Sequence, residues 1–165
     1  MATRGIVAVG TKENWRGVYN HYDSYPTGLG RDLFEHIKTQ SDVQTFANNL
    51  LQFDDWRNYL RGGICPYCGK KTTQPHSITG ILLRETEEGV FLDPNGLYHK
   101  HHTAQNQREF TPEQIAHTDC EWLYVVEAET NQMHVFELKR QDGAKIAHLK
   151  ASVDLTADAP RWAAL

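Results

Sequence analysis

Residues 121–126, Glu-Trp-Leu-Tyr-Val-Val, and residues 133–138, Met-His-Val-Phe-Glu-Leu, flank a short polar connection containing Thr130-Asn131-Gln132. Aromatic and β-branched residues on both sides of a short turn specify an antiparallel hairpin. Residues 3–9 and 15–21 repeat the pattern around the turn Gly10-Thr11-Lys12-Glu13-Asn14, so a second hairpin is expected near the start of the chain. Between them, Leu33, Phe34 and Ile37 fall at helical spacing, and Val43, Phe46, Ala47, Leu50 and Leu51 form another apolar stripe that Ser41 is placed to cap. Residues 54–60 extend that helix or form a further short one, stopped by Gly62-Gly63. A capping box at Thr111-Pro112-Glu113-Gln114 starts a short helix, and residues 146–153 add a strand before a polar, poorly specified end. Two hairpins bracketing helices predict an α+β fold with an antiparallel sheet and packed helices.

A chain of 165 residues suits one domain, here residues 1–165, large enough to bury a core. Within it, residues 62–104 change texture towards turns and short β-like runs at 78–83 and 89–92, which predicts a zinc-ribbon-like insertion. The net charge of −4 exerts no overall pull towards nucleic acid or an anionic membrane. No apolar run reaches the length of a membrane span and no charged-then-apolar leader opens the chain, so a cytoplasmic protein is expected.

Of the three cysteines, two form Cys65-Pro66-Tyr67-Cys68, followed by Gly69-Lys70. Two thiolates at this spacing converge on one ion and supply half of a tetrahedral zinc site. The remaining ligands are sought among His76, His99, His101, His102 and Cys120. His99 with His102 or His101 is preferred, because the apolar runs between them and the knuckle suit the strands of a zinc ribbon. The expected cofactor is one structural Zn²⁺. A thioredoxin-like redox pair lacks its βαβ surroundings, and a reduced pair with surface histidines is the plain alternative. A His-Asn-His nuclease would require a second knuckle and an Asp-His pair, and a zinc deaminase would require His-x-Glu before its cysteines.

The run Tyr19-Asn20-His21-Tyr22-Asp23-Ser24-Tyr25-Pro26-Thr27-Gly28-Leu29-Gly30 concentrates polar and aromatic groups between a strand and a helix. Free amides at a helix start attract anions. Tyr19, Tyr22 and Tyr25 suit stacking on a base or sugar, Asn20 and Asp23 suit polar edges, and His21, Ser24 and Arg4 complete a site for a small anionic, nucleotide-like ligand. The structural alternative makes this run a packed corner with Asp23 and Ser24 as turn caps. An enzymatic alternative pairs His21 with Asp23 as acid and base. It also notes the strand-first shape of N-terminal-nucleophile hydrolases, although Ala2 would follow Met1 and only further trimming would expose Thr3.

Thr3-Arg4-Gly5, the run from 19 to 30, the knuckle with Gln74-Pro75-His76-Ser77-Ile78, and Asp119-Cys120-Glu121-Trp122-Leu123-Tyr124 together resemble an uncharacterised family of small proteins from bacteriophages and their bacterial hosts. The resemblance spans residues 3–138 and is most specific in the tyrosine-rich run. It transfers no catalytic residues. It implies a viral or mobile-element origin, hence action in a host cytoplasm and counter-defence work. A third class of function follows from the insertion, as a module docking on a host protein or, less in keeping with the acidic charge, on nucleic acid.

Overall fold

The computed structural model describes residues 3–51, 56–60, 76–77, 83–86, 89–92, 100–101 and 110–165. Strand β1 (Gly5–Gly10) pairs antiparallel with β2 (Trp15–Asn20), as the first hairpin requires. Three helices follow, α1 (Arg31–Lys38), α2 (Val43–Leu50) and α3 (Trp56–Leu60). Asp42 rather than Ser41 caps α2, accepting the Thr45 amide at 2.6 Å. It stands in extended backbone, where a carboxylate meets the amides left open at a helix start.

Four short strands come next: β3 (His76–Ser77), β4 (Leu83–Thr86), β5 (Gly89–Leu92) and β6 (Lys100–His101). β4 pairs antiparallel with β5, and β3 with β6. The expected zinc-ribbon architecture of residues 62–104 is not shown by these two ladders, and Cys65, Cys68, His99 and His102 lie outside the described residues. The chain then enters β7 (Trp122–Glu127), β8 (Gln132–Gln141) and β9 (Ala144–Asp154).

The five long strands form one sheet in the order β2-β1-β7-β8-β9. The α+β class holds, but the sheet is mixed rather than antiparallel, because β7 lies parallel to β1. Local hairpin signals fix the pairing within each half; the junction between halves depends on where the intervening chain returns, which strand periodicity does not encode.

Both faces of the sheet are covered. Val7, Val9, Tyr124, Val126, Met133 and Val135 face the helices, packing with Leu33, Phe34, Ile37, Phe46 and Leu50. Ile6, Ala8, Leu123, Val125, Phe136 and Leu138 face the other way, onto Trp15 and Cys120, with Phe110 and Ile115 against them. Burial on both faces explains why residues 6–9 form a continuous apolar run. The end of the chain is better specified than its composition suggests. Leu155 and Trp162 are buried, and Trp162 meets Phe34 edge-on at 5.7 Å. The β8–β9 turn, which the sequence reading leaves unassigned, is built on Asp142 and Gly143, both at positive φ, as a tight hairpin demands. No helix among the described residues is long and apolar enough to cross a membrane.

Candidate functional site

The tyrosine-rich run leaves the end of β2 and turns back over the start of β1, where the Ser24 amide donates to the Thr3 carbonyl at 3.2 Å. Asp23 adopts a left-handed conformation (φ 52°) to make this reversal. Pro26–Gly30 then forms a single π-helical turn that runs into α1. Gly28 is required by close approach: a Cβ there would stand 2.3 Å from the Asp23 carbonyl oxygen.

Inside this corner, two of the polar candidates bind each other. Asn20 and Ser24 are buried, and the Asn20 amide donates to the Ser24 hydroxyl at 2.8 Å and to the Tyr22 carbonyl at 2.5 Å. Buried polar groups need such partners, so these side chains hold the loop's shape and do not reach outward. The amides of Gly28 and Leu29 donate to the carbonyls of Tyr25 and Asp23 at 2.9 and 2.8 Å. The expected helix-start anion site is therefore corrected, because two of its amides close the loop instead.

The outward side carries the rest. Tyr22 and Tyr25 are 47% and 40% exposed, large values for tyrosine rings on an ordered loop. His21 packs edge-on to the Tyr22 ring, centroids 4.3 Å apart, and its Nδ1 lies 2.7 Å from the Tyr19 hydroxyl. Tyr19 in turn stacks against Phe110, a residue the sequence reading missed. Its signal was the β-like backbone pairing of Gly17 with Phe110, which only the folded chain brings about. The Tyr25 hydroxyl donates to Asp23 at 3.4 Å. Among the described residues no bond joins His21 to Asp23, so the acid/base pair drawn from their spacing is not assembled.

Arg4 stands beside the loop through Thr3, with its guanidinium partly exposed and paired with Asp119 at 3.3 Å. Asp119 was legible only as part of the Asp-Cys-Glu run. Cys120, the one candidate metal ligand whose side chain is described, is buried against the sheet. Burial pushes its thiol pKa up, which favours the neutral thiol. Among the described residues no group of three or more His, Cys, Asp or Glu is arranged to hold a metal. In the β3–β6 ladder the backbone pairs His76 with His101.

No family model, curated protein or solved structure matches this chain. The corner presents two exposed aromatic rings and an imidazole on a frame held from beneath by Asn20 and Ser24, an arrangement suited to stacking on a flat ligand.

Proposed function

We propose that this protein binds a small anionic, nucleotide-like ligand on the outward side of the loop at residues 19–30, on a scaffold stabilised by one zinc ion. The observation that carries the reading is the pair of exposed rings, Tyr22 and Tyr25, on a loop whose buried Asn20 and Ser24 fix its conformation. Rings held in place lose little freedom on binding, so stacking is not offset by the cost of ordering them. Arg4, which Asp119 pairs, supplies a cation, His21 an imidazole edge and Asp23 a polar acceptor. Asn20 and Ser24 support the site from behind.

The zinc is held by Cys65 and Cys68 with two histidines. The register that pairs His76 with His101 supports these two as the second half of the set, ahead of His99 and His102. With the phage-like resemblance, sequestration of a host signalling nucleotide in the host cytoplasm is the biological use that fits. The test is calorimetry and thermal shift against mono-, di- and cyclic nucleotides. A saturable shift in the wild type that is lost in Tyr22→Ala and weakened in His21→Ala is expected. Absence of a shift with every nucleotide, or an equal shift in Tyr22→Ala, would overturn the proposal.

A further inference from the structure

A second polar cluster lies on the opposite part of the sheet, far along the strand order from β2. His134 is 1% exposed near the start of β8, within the apolar sequence Met-His-Val-Phe. Its Nε2 is 2.8 Å from Glu127 Oε2, and its Nδ1 is 2.8 Å from Ser152 Oγ. Ser152 sits directly across from His134 in the β8–β9 ladder and is exposed. Glu127 closes β7, where the Thr130 side chain also bonds it, and its hydrogen bond from His134 holds the carboxyl below the usual glutamate range.

This order of groups has a chemical direction. A carboxylate only accepts hydrogen bonds, so the proton of the neutral ring belongs on Nε2. That leaves the Nδ1 lone pair facing the Ser152 hydroxyl, which donates to it. An acid that fixes the tautomer, a base within 2.8 Å of a hydroxyl, and an accessible oxygen are the three parts of an activated nucleophile. Nδ1 is thus the base, because the carboxylate holds the ring proton on Nε2.

Two features of β9 suit the rest of an acyl-transfer site. Among the described residues it is the outermost strand of the sheet, so alternate amides point away from β8, donors of the kind a developing oxyanion needs. A register shift opposite Val135/Phe136 lies two to three residues before Ser152, and bulges of this kind re-aim neighbouring side chains.

We propose that Ser152 and His134 form a nucleophilic hydrolase site for small, accessible carboxylic esters, with Glu127 as its positioning residue. Ser152 Oγ bonds to the acyl carbon while its proton passes to His134 Nδ1. The leaving alcohol departs with that proton, giving an acyl-serine. Water then attacks the acyl carbon, its proton passes to Nδ1 and returns to Ser152 Oγ, and the carboxylic acid is released. The site shares no residue with the tyrosine-rich loop, so it stands or falls independently of nucleotide binding.

The test uses the full chain with a fluorophosphonate probe, localised by peptide mass spectrometry, alongside hydrolysis of p-nitrophenyl acetate. Labelling at Ser152 is expected, together with ester turnover that Ser152→Ala abolishes. His134→Gln should slow labelling at least tenfold. Because His134 is buried, Glu127→Gln provides a second variant at the partly exposed end of the relay. It should slow labelling several-fold with the fold retained by circular dichroism, and Glu127→Asp should recover part of the rate. A wild-type protein that is not labelled at Ser152 would overturn the proposal. So would labelling at an unchanged rate in a folded Glu127→Gln or His134→Gln protein.

Discussion

The Tyr124 hydroxyl donates to the Ser24 carbonyl at 2.6 Å, across a sequence separation of 100 residues. Tyr124 is fully buried in β7, and Ser24 is fully buried in the loop that follows β2. This one bond ties the centre of the sheet to the candidate ligand loop, and Gly5 makes room for it: a Cβ on Gly5 would lie 2.7 Å from the Ser24 Cβ.

Tyr124→Phe removes the donor and leaves the Ser24 carbonyl buried without it. The expected loss is about 1–3 kcal/mol, or roughly 3–10 °C in melting temperature for a chain of this size. Nucleotide affinity should fall as well, since the loop's fixed shape is what the binding proposal relies on. Thermal melts and calorimetry on the variant check both, and an unchanged melting temperature would show that the bond contributes nothing to stability.

Replacing Gly28 by alanine forces a Cβ into the Asp23 carbonyl, which is backbone and cannot swing aside. The turn must open, displacing Tyr22 and Tyr25. We expect loss of nucleotide binding in a protein whose five-stranded sheet persists by circular dichroism. Retained affinity would mean that the loop tolerates a different path and that its conformation is not the determinant.

Stability should fall at both ends of the pH scale. Hydrogen bonds from Thr45 to Asp42, from His134 to Glu127 and from Thr156 to Asp154 lower these carboxyls in the folded state. Their ordinary values are 3.8 for aspartate and 4.5 for glutamate, so their contribution is complete above those values and lost as pH falls through the lower folded ones. Burial pushes the Tyr124 phenol up, and its folded form keeps the proton that an unfolded phenol releases near its ordinary 10.0. That contribution is present below pH 10 and declines as the solution becomes more alkaline. Melting temperatures between pH 3 and 11, on the order of one point per unit, should trace a plateau with two falling limbs. The alkaline limb should be shallower in Tyr124→Phe.

Metal removal should act on the insertion alone. Among the described residues, the two apolar clusters of the sheet are assembled from residues before 60 and after 109. Cys65→Ser, or treatment with a strong chelator, is expected to abolish bound zinc in native mass spectra while the main thermal transition of the sheet moves little. Wild-type protein isolated without zinc would defeat the metal assignment. Collapse of the whole fold on chelation would show that the insertion supports the sheet.

Much of the architecture was legible along the chain because its signals are local. The apolar spacing of Leu33, Phe34 and Ile37 requires a helix whatever surrounds it, and the alternation in residues 121–126 and 133–138 requires paired strands. Polar groups are different, because their roles depend on what the fold brings within 3 Å. Asn20 and Ser24 have the composition of ligand contacts and became the loop's internal brace. His134 sits inside an apolar run and gave no sign of its partners, since Glu127 and Ser152 reach it only through strand register.

By itself the sequence determined the two hairpins, the helices at 31–38 and 43–50, the sharp corner at Pro26 to Gly30 and the presence of a thiol pair, because each depends on local residue identity, backbone preference or the period at which apolar residues recur. Tertiary structure alone decided that β1 and β7 run parallel, that Tyr124 braces Ser24, and which polar side chains face solvent. Those outcomes follow from contacts between segments far apart in the chain, whose geometry no local pattern encodes.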